Sequence, residues 1–187
     1  SHGGFSHETD ANGWSITTHN TGTMTFFSKH SGSANPALAF TLATAGVVSH
    51  SWNHYVWTRD STNLKAYVNG VEAATSGTAW SAVTSGTSPL RIGHGHETQR
   101  FFDGFMDEIV ISKVAYNANT VIERYQTGRA GNHHTANSAC VLHLKADSTY
   151  GDTDFTDSSA SAHTITNVGG VFHHIDDNRT ANTALYF

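Results

Sequence analysis

The sequence predicts an all-β protein, an antiparallel β-sandwich of jelly-roll type with one short helix near residues 119–127. Three observations predict it. Apolar residues recur at every second position through most of the chain, the period of a half-buried strand. Runs of Ser, Thr, Gly and Asn separate these segments as turns. The pair Asn69-Gly70 lies between two alternating runs, and Asn-Gly favours a tight hairpin because both positions tolerate positive φ. Many short strands joined by polar turns imply a sandwich or jelly roll whose edges must be protected.

The elements follow in order. "GWSITTHN" alternates Trp14 and Ile16 with polar residues. "TMTFFSKH" puts Met24 and Phe26 on one face, and "ALAFTLAT" does the same with Leu38, Phe40 and Leu42. "WNHYVWTRD" sets Trp52, His54, Val56 and Thr58 against Asn53, Tyr55, Trp57 and Arg59. In "NLKAYVNGVEAAT", Leu64, Ala66 and Val68 lead into the turn, and Val71 and Ala73 return. "PLRIGHG" and "FFDGFMDEIVIS" read as further strands. "NANTVIERYQTG" is the helix, capped by Asn119 or Thr120 and ended by Gly128, with Val121, Ile122 and Tyr125 on one face. "RAGNHHTANSA", residues 129–139, reads as a polar linker. "CVLHLKAD" resumes a strand, Phe155 is the expected buried anchor of a turn-rich stretch, and "HTITNVG" and "TALYF" are short strands.

Composition narrows the function. Ten Lys and Arg against fifteen Asp and Glu give a net charge of −5. No basic stripe is present, so nucleic acid is not an expected partner. No apolar run is long enough to span a membrane. Cys140 is the single cysteine, so no internal disulfide forms, and its apolar neighbours predict a buried, inert thiol. Low charge and a Ser/Thr/Gly bias suit a secreted or virion β-protein. The opening "SHGGFSH" fits a processed or excised piece of a longer chain. Fourteen histidines are many for 187 residues, with pairs at 133–134 and 173–174 and "HGH" at 94–96. Without helical His-x-x-x-His spacing or a Cys pair, they read as solvated loop residues rather than a zinc site.

From Trp52 to Gly128 the chain resembles a laminin-G-like, concanavalin A-like jelly roll. The pieces that carry the likeness are "WNHYVWTRD", "LKAYVNGVEAA", "PLRIGHG" and "FFDGFMDEIVIS", in the family's order. The C-terminal "VLHLKADSTYGDTDFTDSSASAHTIT…TALYF" resembles the opening of the same family. The expected organisation is therefore a jelly roll over 1–128 lacking its opening strands, a linker at 129–139, and opening strands at 140–187. Those last strands complete this fold as a circular permutant, belong to the next module of a tandem array, or complete a neighbouring chain. The tandem or intermolecular arrangement is the favoured expectation.

Asp107 and Glu108 interrupt an apolar strand. Alternation places Asp107 beside Phe105 and Ile109, where a carboxylate is costly unless paired. The resemblance implies a structural calcium held by Asp107 and by Asp147, which matches the family's first-strand Asp; the alternative is that Asp107 bonds loop N–H groups. Glu108 is expected to be a solvated strand residue. The glucanases of this fold carry Glu-x-Asp-x-Glu on one strand face, which is missing here, so no catalysis is expected. A glycan would be read by exposed aromatics and polar loop groups. Trp80, His94, His96, Gln99 and Arg100 are the candidates, although Trp80 also suits the covering of a sheet edge. The expected role is a non-catalytic structural or adhesion module of an extracellular or virion surface. Its expected partners are other copies or neighbouring modules joined at strand edges, and surface glycans.

Overall fold

A computed structural model describes residues 2–8, 12–61, 63–76, 87–94, 101–175 and 183–187. The strands are β1 (His2–Glu8), β2 (Gly13–His19), β3 (Thr23–His30), β4 (Ser33–Ala34), β5 (Leu38–Thr41), β6 (Tyr55–Arg59), β7 (Leu64–Val68) and β8 (Val71–Thr75). They continue with β9 (Arg91–Ile92), β10 (Phe105–Met106), β11 (Ile109–Ser112), β12 (Cys140–Leu144), β13 (Phe172–His174) and β14 (Ala184–Tyr186). Helix α1 (Ala118–Arg129) precedes β12. All strand pairings are antiparallel among the described residues. The chain forms two compact units, Ser1–Asp103 and Gly104–Phe187, so residues 129–139 lie inside the second.

The first unit is a β-sandwich. One sheet runs β4-β3-β2-β1-β9 with β5 also on β3, and the other runs β6-β7-β8. Alternation along β3 and β5 sends Met24, Leu38 and Phe40 into a core shared with Leu64, Ala66 and Val68 of β7. Burying each large apolar side chain is worth about 1.5–3 kcal/mol. Trp57 faces Ala66 across the β6–β7 ladder, and the small alanine leaves room for the indole. That ring lies 5.7 Å from Phe26 and 5.5 Å from Phe40, so it joins the two sheets.

The Asn69-Gly70 turn forms as the sequence predicts. Both residues have positive φ, 51° and 84°, which matches the strand twist. Asn69 also does more than turn the chain. Its Oδ1 accepts from His54 N–H, and its Nδ2 donates to Asn53 Oδ1 at 3.0 Å. Asn53 in turn holds Val48 through both its N–H and its C=O.

Three local expectations differ. Helix α1 starts earlier, because Asn117 Oδ1 accepts from Thr120 N–H at 2.9 Å and so caps the first turn. Its buried face is Val121 and Gly128, with Ile122 exposed and Gly128 inside the helix. "HTITNVG" forms no strand; Val168 is exposed, and Asn167 Nδ2 closes a turn on Val171 C=O instead. Phe155 is only half-buried and stacks on His173 at 5.1 Å, while Asp157 two residues on is the buried anchor. Cys140 is buried with its thiol on Leu142 C=O, and burial raises its pKa, as an inert thiol requires.

Asn69→Ala removes a side chain that tolerates left-handed backbone, with its bonds to His54, Asn53 and Gly46 C=O. The expected cost is about 1–3 kcal/mol, read as a lower denaturant midpoint with faster amide exchange across Leu64–Thr75. An unchanged midpoint and exchange pattern would show that the turn holds without the side chain.

Candidate functional site

The backbone explains the adjacent carboxylates. Glu108 adopts φ +52°, so the apolar run breaks there and restarts as β11. Left-handed backbone costs an L-residue roughly 1–2 kcal/mol and needs surroundings that over-determine it. Asp107 Oδ1 accepts from Glu108 N–H at 2.7 Å, across the break. The period-two register then no longer applies through this point, and Glu108 is not the solvated strand residue that alternation implies. Its side chain is 4% exposed.

Two histidines and one backbone amide surround this carboxylate. Oε1 lies 2.6 Å from His133 Nδ1. Oε2 lies 3.2 Å from His143 Nε2 and accepts from His134 N–H at 3.1 Å. On its far side, His133 Nε2 stands 3.3 Å from Asp147 Oδ1. Carboxylate oxygens only accept, so the two ring nitrogens on Glu108, His133 Nδ1 and His143 Nε2, donate. His143 sits on β12 opposite Val110, its side chain 1% exposed, and its Nδ1 has no protein partner among the described residues. Burial alone would push the Glu108 carboxyl up; the bonds from His143, His133 and the His134 amide overcome that and hold it at about 2.

A second carboxylate anchors the outer side of β12. Asp157, with a side chain 0% exposed, accepts from His143 N–H, Ser159 N–H, Ser159 Oγ, His163 N–H and His163 Nδ1. Ser158 N–H donates to His143 C=O at 2.8 Å. The loop thus satisfies the N–H and C=O that His143 directs outward, as a neighbouring strand would. Burial opposes the Asp157 charge, but the His163, His143 and Ser159 amides and the His163 ring hold its pKa well below the ordinary carboxylate range.

His173 is the third buried anchor. Its Nδ1 lies 2.9 Å from Ala146 C=O and 3.0 Å from Thr183 Oγ1, and its Nε2 lies 3.1 Å from Asp154 C=O. Thr183 Oγ1 also donates to Ala146 C=O. Beside this ring is a cavity of about 310 Å³ lined by Asp147, Ser148, Asp152, Asp154 and Phe155, among others. Its walls are rich in oxygen acceptors. The opposite face of β13 and β14 is instead aromatic: Phe105 and Phe172 each touch His174 and Tyr186, and Tyr150, 60% exposed, lies 5.3 Å from His174.

The sequence candidates fall in different places. Trp80, His96, Gln99 and Arg100 lie outside the described residues. His94 bridges to Phe101, with ring centroids 4.8 Å apart and Phe101 60% exposed. Asp107 and Asp147 are both in the second unit, one on Glu108 N–H and the other beside His133. Calcium takes six to eight oxygens. Among the described residues no group of three or more His, Cys, Asp or Glu side chains is arranged to hold a metal. Several histidines are structural rather than solvated: His134, His143 and His173 are buried. The signal available for His143 was its place inside the apolar "CVLHL", where a His needs a polar partner once buried.

Removing the charge at Glu108 tests the cluster. Glu108→Gln leaves His133 and His143 without their carboxylate, and the expected loss is about 3–5 kcal/mol. The folded pKa of Glu108 lies below its unfolded value of 4.5, so its contribution is present above that pH and is lost as pH falls through about 2. A plot of stability against pH should therefore be flatter for the variant across this window, and parallel plots would refute the assignment. Asp157→Asn turns an acceptor into a donor facing N–H groups. Its expected signature is faster amide exchange at His143 and His163, with the Leu64–Thr75 hairpin unaffected.

The laminin-G-like family described as the concanavalin A-like lectin/glucanases superfamily matches residues 2–122. No curated protein matches the chain. A crystal structure of an S-layer domain-containing protein from Clostridium thermocellum is similar at 18% identity and a TM-score of 0.37, covering 63% of this chain and 58% of that one. This chain thus spans less than two thirds of that structure's length. With antiparallel sheets, the Asn-Gly hairpin and the family match over most of its length, the chain belongs to the concanavalin A-like lectin/glucanase superfamily.

Proposed function

We propose that this chain is a non-catalytic adhesion module of an extracellular or virion surface, and that it recognises saccharide. The observation that carries the reading is the oxygen-rich cavity beside His173, with Asp152, Asp154, Ser148 and the half-buried ring of Phe155 in its wall. Sugar hydroxyls donate to carboxylates, and the ring's apolar face suits sugar C–H groups. Its volume, about 310 Å³, is at the small end for ligand sites, which suits one or two sugar rings.

The buried carboxylates support the non-catalytic part. A glycosidase acid needs a raised pKa and access to the leaving group. Glu108 and Asp157 have neither: both are held low, and both are enclosed by their own hydrogen-bond donors.

The aromatic face of β13 and β14 favours a second reading, assembly with other copies or neighbouring modules. Its rings are tilted by 44–68° in most pairs that include His174, so they offer clefts rather than a flat stacking platform. Such surfaces suit protein side chains, and aromatic anchors dominate protein interfaces.

Binding of the intact chain to an array of glycans tests the first reading. Asp154→Ala is expected to weaken binding tenfold or more with the melting curve unchanged. A folded chain that binds no saccharide would reject this reading. Tyr150→Ala is expected to leave glycan binding intact and to lower self-association seen by light scattering.

A further inference from the structure

We propose that residues 140–187 are the obligatory complement of the strands at 104–112, docked by the same chain, and not the start of an independent second module. The family match ends at residue 122. Yet the last strands inside that match find their partners outside it. Among the described residues, β10 pairs with β14 through Phe105↔Tyr186 and Met106↔Leu185. β11 pairs with β12 through Ile109↔Leu144, Val110↔His143 and Ile111↔Leu142.

Chemistry makes this partnership specific. Glu108 sits at the junction of β10 and β11, and the groups around it, His133, His134 and His143, all lie beyond the match. Without them a buried carboxylate would be left unpaired, which costs several kcal/mol. A register slip of one residue would turn His143 away from Glu108 and face Leu142 or Leu144 toward it. The boundary between compact units supports the same conclusion, since it falls at Asp103/Gly104 and leaves the polar stretch 129–139 inside the unit it helps to build.

A neighbouring copy offers the same segment, so cis and trans docking compete. A tethered segment acts at an effective concentration of about 1 mM. In a micromolar solution that favours the chain's own segment by roughly a thousandfold. The cis-closed form is therefore the expected state of the isolated chain.

The native Cys140 supplies the test. It pairs with Ser112 just past a register shift at the end of the β11–β12 ladder, and paired residues on antiparallel strands are near disulfide reach. Ser112→Cys in the full chain, oxidised at micromolar concentration, should give a monomer with an internal disulfide. Disulfide-linked dimers or ladders would overturn cis docking. If the pair fails to oxidise, amide exchange of the unaltered chain decides. Ile109–Ser112 and Cys140–Leu144 should open together, with one shared free energy. Fast exchange at 140–144 beside protected amides at 109–112 would overturn the inference.

Discussion

A carboxylate withdrawn from water has to be held by donors, and that requirement organises the second half of this molecule. Glu108 is placed at a left-handed break between two short strands. Everything that satisfies it comes from later in the chain: two imidazoles and one backbone amide. Because the donors come from two segments, residues 133–134 and β12, their convergence fixes the register of β12 and the path of residues 133–134. The same atoms then position Asp147 on the far side of His133. An apolar pair in place of these groups would bury as much surface but would not distinguish one register from its neighbour.

Asp157 extends this logic to the other side of β12. A strand with one paired edge exposes N–H and C=O groups that invite foreign strands. Here the His143 amide goes to Asp157, and its carbonyl takes Ser158 N–H. Asp157 is itself fixed by Ser159 and His163. One residue, His143, therefore connects both buried carboxylates, through its ring to Glu108 and through its backbone to Asp157.

The sequence revealed the first unit more completely than the second, for a physical reason. In the first unit stability comes from apolar burial, and burial writes itself as period two: Met24 and Phe26, Leu38 and Phe40, Leu64 to Val68. The Asn69-Gly70 turn is equally local. In the second unit the organising contacts span 25 to 35 residues between Glu108 and its histidines. No local pattern encodes such contacts, and the break at Glu108 defeats alternation at the residue where it matters most. A His inside "CVLHL" and a carboxylate pair inside "FMDEIV" were each legible as anomalies. That they answer one another was not, because it depends on how β11 and β12 register. The same holds for the cavity beside His173, whose walls come from segments as far apart as Leu144 and Leu185.

The two units also differ in which solvent change each one resists. The core of the first is apolar, and its buried polar contacts include neutral bonds such as Asn35 to Ser28. Protonating carboxylates leaves such contacts in place. The second relies on two buried charges whose worth depends on remaining ionised. Both are held far below the pH of ordinary surroundings, so their contribution is constant across the physiological range and does not vary with modest acidification. Carboxylates poised near neutrality would serve acid–base chemistry instead. The depression of both groups therefore assigns these charges to the scaffold and leaves the half-buried aromatic face and the oxygen-lined cavity outside it.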